Sequence, residues 1–307
     1  MQHYHSLEDV HLNGSWLTIG SFDGVHKGHQ IIINEIIAGA QKYGVPAVVL
    51  TFYPHPSAVL HGQNFPYYLS SPQEKAEILK DLGIDILITH PFNRDIANQS
   101  PHEFLLEINS HLEIQHIQVG YDFALGKNRK GDFSTLQALG EELGFAVKQS
   151  GSVSDEDGVI SSSRIRFLLG VGQVDRAASL LGRNYMLDGI VEVGDRRGQG
   201  LGFPTANLKV WAEKLIPTAG VYACWALVQG EKIAAVTNIG VRPTFERTPV
   251  APRVETHLLS YTKDIYGERM RLEFVGRLRD ERKFPSTDSL IRQIGKDTQQ
   301  AREILFA

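Results

Sequence analysis

Five short apolar runs in the first half of the chain, at residues 16–20, 46–52, 85–90, 114–120 and 145–151, are separated by segments with helical spacing. "HQIIINEIIAGAQKYG", "SPQEKAEILKDLG", "SPHEFLLEINSHL" and "DFSTLQALGEELG" each carry apolar residues three and four apart, the spacing that lines one face of a helix. Strands that alternate with helices cannot pair as hairpins. They form parallel βαβ units, with helices covering the sheet. After "SSSRIRFLLGVGQVDRAASLLG" (161–182), which reads as two short helices, the alternation stops. Strand-like runs then follow one another with Gly, Pro and Asn between them ("NYMLDGIVEVGD", "GVYACWALVQG", "EKIAAVTNIG", "VETHLLSY", "RMRLEFVGRLRD"), until a final helical stretch, "STDSLIRQIGKDTQQAREILF". That pattern predicts an antiparallel β-barrel closed by a C-terminal helix. The expected division is therefore an α/β domain over 1–182 and a β-barrel domain over 183–307.

Composition narrows the function classes. The net charge is −4, with the excess of acid in the first half and a mild excess of base in the second. A nucleic-acid domain carries a denser basic patch, so no nucleic-acid partner is expected. The one cysteine, Cys224, excludes an intramolecular disulfide and a zinc site built on several thiolates. It lies in an alternating run and is expected to be a buried structural thiol. No apolar run reaches the ~20 residues of a membrane span. The start, "MQHYHSLEDV", lacks the basic and apolar regions of a signal peptide, and the expectation is a cytoplasmic protein. Nothing in the sequence bears on oligomeric state.

In open α/β sheets, ligands bind outside the carboxyl ends of the strands. Three motifs lie just past such ends, at 20–29, 53–56 and 120–132. In "GSFDGVHKGH", Gly20, Gly24 and Gly28 let the backbone turn sharply and approach a ligand. The helix that follows presents free N–H groups and a positive dipole end. His26 and His29 near that end suit hydrogen bonding to phosphoryl oxygens. Residues three apart on a helix can also share a metal, but no nearby carboxylate or histidine completes the three protein ligands that zinc requires. A purely structural role for the pair is the third reading. "GYDFALGKN" is not a phosphate-binding P-loop, since its glycine spacing is wrong and no Ser/Thr follows the lysine.

Ser161, Ser162, Ser163 and Arg164 combine hydroxyls at a helix start with a forked guanidinium. They make either an oxyanion clamp or a serine-rich cap with a surface arginine. In the second half, "GDRRGQGLGFPTANL" (194–208) has glycines that free a loop to wrap phosphates. Thr205 and Asn207, two apart on an extended segment, present neutral oxygens on one side. Neutral oxygens together with phosphates suit Mg2+. In "VETHLL", alternation puts Glu255 on one face and Thr256 on the other. Glu255 is either a solvated outer-face carboxylate or an inward functional group.

The motif "TIGSFDGVHKGHQ", with its His-x-Gly-His, resembles the nucleotidylyltransferase superfamily and, in its longer form, the bacterial bifunctional riboflavin kinase/FAD synthetases. "TFYPHP" (51–56), "VGYDFALGKNRKGD" (119–132), "ISSSRIR" (160–166), "GxxxGFPTAN", "NIGVRPTF" (238–245) and "LRDERKFPS" (278–286) occur in that family's order. The resemblance spans about residues 14–305. It implies a Rossmann-like nucleotidylyltransferase domain followed by a riboflavin-kinase-type barrel. The barrel would phosphorylate riboflavin with ATP to FMN; the first domain would adenylylate FMN to FAD, releasing pyrophosphate. Both steps imply Mg2+.

By the same resemblance, His26 and His29 contact the ATP phosphates; Gly20, Phe22, Asp23, Gly24 and Gly28 form the nucleotide turn; and Ser161–Arg164 take the β- and γ-phosphates. Asp122 and Asn128 lie on a loop at the flavin/nucleotide site, and Arg279 near the flavin. Gly200 and Gly202 belong to the kinase phosphate loop, Thr205 and Asn207 to the metal, and Glu255 is the general base, facing inward as a functional group. His55 has either a structural role or a ligand contact, and His257 a structural or supporting role. Departures from the family pattern are Tyr53, Gly200, Ser163 and "LLSY" after the Glu255 strand, none of which removes a catalytic group. A chain with one active half, the other kept as a flavin-binding module, is the alternative.

Overall fold

A computed structural model describes residues 1–62, 67–193, 203–240 and 252–307. The chain divides into two compact bodies, one of residues 1–65 and 70–162, the other of 66–69 and 163–307.

The first body carries β1 (Gln2–Tyr4), β2 (Ser15–Ile19), α1 (Lys27–Tyr43), β3 (Ala47–Tyr53), α2 (Pro56–His61), α3 (Pro72–Asp81) and β4 (Ile86–Pro91). After these come α4 (Arg94–Asn98), α5 (Pro101–Leu112), β5 (Ile114–Val119), α6 (Phe133–Leu143), β6 (Ala146–Gln149) and a small hairpin, β7 (Ser154–Asp155) and β8 (Gly158–Val159). The helix starts follow from local chemistry. Ser71-Pro72 and Ser100-Pro101 open α3 and α5 with capping boxes closed by Glu74 and Glu103, each satisfying two orphan amides. Gly44 ends α1 in the left-handed conformation. The six strands pair in the order β1-β4-β3-β2-β5-β6, all parallel. Leu17, Ile19, Val48, Leu50, Ile86, Ile88, Leu105, Ile108, Ile117 and Val119 fill the core. Helix α1 packs against β2 through Gly39, where a Cβ would fall 1.8 Å from the Trp16 ring. The strand order places the topological switch at β2: the chain leaves it on one side towards β3 and β4, and returns on the other as β5 and β6. Ligands in such sheets bind outside the carboxyl ends at the switch, which here means the segments following β2 and β5.

The helix pair α7 (Ser162–Gly170) and α8 (Val174–Leu181) leads into β9 (Tyr185–Glu192), β10 (Ala206–Val210), β11 (Gly220–Val228), β12 (Glu231–Gly240), β13 (Arg253–Leu258), β14 (Arg269–Arg279) and α9 (Thr287–Leu305). The strands close a barrel in the order β10-β13-β12-β11-β14-β9, antiparallel throughout. Tyr222, Cys224, Thr237, Thr256, Leu272 and Phe274 are fully buried, and Thr237 and Thr256 share a hydrogen bond of 3.1 Å. Burial pushes the Cys224 thiol up to about 12, so it is the inert structural thiol expected from its strand pattern. Ala301 and Leu305 of α9 pack on Val221, Ala223, Ala234 and Val236. Residues 67–69 belong to this second body: Tyr67 and Tyr68 donate to the Glu213 carbonyl, and the buried Lys214 ammonium donates to the Leu69 carbonyl at 2.8 Å. The parallel sheet, the closed barrel and the C-terminal helix are those read from the sequence. β1, the β7–β8 hairpin, β10 and the short helices α2 and α4 are additions, each too short to carry a periodic signal.

Candidate functional site

In the first body, the segment after β2 is a tight turn with three left-handed residues close together: Phe22 (φ 44°), Gly24 (φ 79°) and Val25 (φ 41°). Left-handed backbone is costly for Phe and Val, so the turn must be held from outside. Asp23 is buried, and its carboxylate accepts from the Ser70 N–H at 3.1 Å. Gly24 N–H donates to the Ser70 hydroxyl at 3.1 Å, and Val25 N–H to the Phe22 carbonyl. The Asp23 carbonyl accepts from the Ser162 hydroxyl at 2.9 Å. Gly20 fits because a Cβ there would press on the Phe22 ring at 3.1 Å.

His26 is buried and caps α1, its Nδ1 accepting from the His29 N–H at 3.3 Å. The two imidazoles stack at 3.6 Å with a 17° interplanar angle, and Phe22 meets His29 edge-on at 5.1 Å. Stacked parallel rings hold their in-plane lone pairs in separate planes, a geometry unsuited to sharing one metal ion. Burial first, and then the charges of His26 and Lys75, hold the His29 pKa well below the usual histidine range. A neutral imidazole keeps one N–H donor and one acceptor. Among the described residues its buried Nδ1 has no hydrogen-bond partner. The first intrahelical bond of α1 runs from Gln30 N–H to the His26 carbonyl, which leaves the Lys27 and Gly28 amides facing out of the helix start. Helix start, imidazole and glycine turn thus meet at the switch point as a ready anion site.

The remaining first-half residues divide. Ser162 spends its proton on the Asp23 carbonyl, so it supports the turn and retains only its lone pairs towards a ligand. Ser161 precedes α7, while Ser163 and Arg164 lie on it, within the second body. After β5, Asp122 is exposed and its carbonyl accepts from Arg129 at 2.8 Å. Asn128, also exposed, sits in a 3-10 turn with φ 58°. His55 caps α2, accepting from Ser57 N–H at 3.1 Å, which is a structural use.

In the barrel, Val254, Thr256 and Leu258 are buried, whereas Arg253, Glu255 and His257 are only partly so. Glu255 therefore lies on the outer face, and the inward placement implied by the family resemblance is corrected: Thr256, with its Thr237 partner, takes the interior position. Register sets Asn207 of β10 directly opposite Glu255 on one side and Asn238 of β12 on the other. Directly opposed residues share a face of the sheet, so an amide–carboxylate–amide row crosses three strands. Arg253 donates to Glu255 at 3.1 Å. His257 Nδ1 lies 2.8 Å from the Pro204 carbonyl, and its ring meets Phe203 edge-on. This contact pins the Phe203-Pro204-Thr205 approach to Asn207. Gly200 and Gly202 lie outside the described residues, as does most of "NIGVRPTF". Arg279 is engaged bidentately by the buried Asp297 of α9, at 2.8 to 3.1 Å. In this structure its guanidinium fastens the last helix to the barrel.

Three site residues escaped the sequence reading. Lys75 is buried, and its ammonium donates to the Ser21 carbonyl at 2.6 Å and the Thr51 hydroxyl at 3.1 Å. A signal existed, since Lys75 is three and four positions from Ile78 and Leu79 and so lies on the apolar stripe of α3. Ser70 gave no signal beyond a run of serines. Asn238 could be found only through the register that sets it beside Glu255.

A family model described as FAD synthetase matches residues 8–164, and one described as riboflavin kinase matches residues 181–305. The chain is 38% identical to the bifunctional riboflavin kinase/FMN adenylyltransferase of Bacillus subtilis, over 97% of this chain and 95% of the relative. It is 36% identical to the protein of the same description from Haemophilus influenzae, over 95% and 94%. A solved structure from Streptococcus pneumoniae, titled a macrolide-efflux protein, matches with a TM-score of 0.90 and 30% identity over 98% of each chain. Among the described residues no helix is long and apolar enough to cross a membrane.

Proposed function

Because this chain belongs to the bifunctional riboflavin kinase/FMN adenylyltransferase family of flavin cofactor biosynthesis, we propose that its two activities are carried by the two sites described above. The functional division we propose assigns 1–182 to FMN adenylylation and 183–307 to riboflavin phosphorylation.

In adenylyl transfer, a phosphate oxygen of FMN attacks the α-phosphorus of ATP. A new P–O–P bond forms, the bond from the α-phosphorus to the bridging oxygen breaks, and pyrophosphate leaves. No protein nucleophile and no proton abstraction are needed, so catalysis is positioning and charge stabilisation. The α1 start, His26 and His29 are suited to the ATP phosphates, with Gly20, Phe22, Asp23, Gly24 and Gly28 shaping the turn. Ser161, Ser163 and Arg164 are proposed for the β- and γ-phosphates, with Ser162 in a supporting part. Asp122 and Asn128 are proposed for the flavin side. The observation that carries this reading is the neutral His29 at a helix start beside the topological switch, its buried Nδ1 without a hydrogen-bond partner among the described residues.

In the kinase step, Glu255 accepts the proton of the riboflavin 5′-hydroxyl as that oxygen attacks the γ-phosphorus of ATP, and ADP leaves. A partly exposed outer face suits this role, since the carboxylate must be reached by substrate. Thr205 and Asn207 would hold Mg2+: the hydroxyl and amide oxygens, with Glu255 directly opposite Asn207, form the hard, oxygen-only donor set that this ion takes. When bound, it supplies charge neutralisation of the transferring phosphates. Gly200 and Gly202 are proposed for the phosphate loop, and Arg279 supports the flavin side through its grip on α9. ATP and flavins are the partners, and a cytoplasmic setting fits both substrates.

Chromatographic product analysis tests the assignment. With riboflavin and ATP, the intact chain is expected to yield FMN and then FAD. His29→Ala is expected to abolish FAD while leaving FMN formation, and Glu255→Ala the reverse when FMN is supplied. Accumulation of FMN alone by the intact chain would establish a single active half. A variant within about threefold of wild type in its assigned step would overturn that assignment, since such groups contribute ~10²–10⁴-fold.

A further inference from the structure

Resting on the adenylyl-transfer reading, we propose that Lys75 is a positioning residue of that reaction: its ammonium grips the Ser21 carbonyl and the Thr51 hydroxyl, and so holds the turn and His29 in the geometry that receives the polyphosphate. Lysine is rarely buried without a partner, and an ammonium taken out of water must be compensated. Here the compensation is the turn itself. Nζ donates at 2.6 Å to a carbonyl inside the turn and at 3.1 Å to a hydroxyl on the neighbouring strand β3. The turn needs such a grip because Phe22 and Val25 sit in left-handed backbone, which persists only where the surroundings over-determine it. Ser70, Ser162 and the Val25–Phe22 bond hold its far end; Lys75 holds its near end and brings a positive charge.

Among the described residues, few charged or titratable groups act on Lys75. Asp23, from the turn, favours its ammonium form. His29, from α1, is itself kept neutral in part by Lys75, with His26 stacked upon it. On its own helix, Glu74 is turned to the Ser71 N–H, and β3 contributes the uncharged Thr51. Burial outweighs Asp23 and brings the Lys75 pKa down to about 8. The grip therefore weakens at mildly alkaline pH, where an ordinary surface lysine would remain charged.

The test uses the full chain with Lys75→Met and Lys75→Arg. It reads kcat/KM for ATP in FMN adenylylation from about pH 6.5 to 10, a parameter that reports the free enzyme. Riboflavin phosphorylation by the same preparations serves as the control. The wild type is expected to lose kcat/KM above about pH 8. Lys75→Met should be about tenfold or more lower at pH 7, in keeping with the cost of a displaced site, and should lack that alkaline limb. Lys75→Arg should recover most of the activity and carry it beyond pH 9, because guanidinium stays charged. Phosphorylation should change little in either variant. Adenylylation by Lys75→Met within about threefold of wild type, or a wild-type alkaline limb persisting in Lys75→Arg, overturns the proposal. If Lys75→Met does not fold, the Lys75→Arg profile alone decides. His29→Ala separates the two layers: loss of FAD formation there with no effect at Lys75 refutes Lys75 alone, whereas no effect at His29 refutes the site.

Discussion

Gly28→Ala is a small perturbation aimed at the histidine stack. Gly28 is the second residue of α1, and a Cβ there would lie 3.1 Å from Cε1 and 3.2 Å from Nδ1 of His26. Ordinary carbon contacts lie at about 3.5–4.0 Å, so the ring must withdraw by a few tenths of an ångström. It has little room, being 6% exposed and stacked at 3.6 Å on His29, which in turn abuts Phe22. The displacement therefore passes along three rings and loosens the His26 cap on the His29 amide.

The energetic terms nearly cancel. Alanine gains up to ~1 kcal/mol of helix propensity over glycine, while overpacking costs about 1–3 kcal/mol and a weakened cap some fraction of ~1 kcal/mol. We predict a net loss of about 1 kcal/mol, or roughly 2–4 °C in Tm for a body of this size. Catalysis is more sensitive. A ~1 Å misplacement costs ~10²-fold, so a shift of a few tenths should lower FAD formation about tenfold. Initial rates of FAD and FMN formation, measured on one preparation beside a thermal melt, check this. FAD formation within threefold of wild type would show that the stack does not position the reacting phosphates. A parallel fall in both activities would show that the substitution acts by unfolding.

Two further predictions concern stability. His29, His90 and His116 are all shifted below the usual histidine range, burial being the first cause in each, and His90 Nδ1 accepts from the Leu7 N–H at 3.1 Å. The unfolded chain binds protons near pH 6.5 that the folded first body refuses, so stability is present above that pH and is lost as pH falls below it. The Tm should drop progressively between about pH 7 and 5; a flat profile refutes the neutral assignments. Arg279→Met strands Asp297, which is 2% exposed and, among the described residues, keeps Gln293 at 2.8 Å as its one side-chain donor. Breaking such a pair costs about 3–5 kcal/mol, readable in denaturant melts of the kinase body, and a loss below ~1 kcal/mol would show that Arg279 is not a strut.

The histidine turn, the capped helices and the alternating strands were legible in the sequence because each depends on residues a few positions apart. A Ser-Pro-x-Glu opening, a glycine after a helix and a period of two or 3.6 act through local geometry, and the chain carries them wherever it folds. The family resemblance extended this to an expected chemistry, as a string of short motifs in order. Lys75, Asn238 and Arg279 mark where that legibility ended. Lys75 falls on the apolar stripe of α3, but its partner is set only when α3 packs it against Ser21, 54 residues away. Arg279 is read from its motif as a residue near the flavin, and only the packing of α9 reveals Asp297 as its partner.

By itself, then, the sequence determined the two architectures, the segments proposed to handle phosphate and the residue types available there. Tertiary structure decided the strand order that puts the switch at β2, the barrel register that sets Asn207 and Asn238 beside Glu255, and the face on which Glu255 stands. The reason is physical. Local pattern fixes which face of an element is apolar, but which elements meet is settled by long-range packing and by the pairing of every buried donor and charge. Those conditions are satisfied only once the whole chain is assembled.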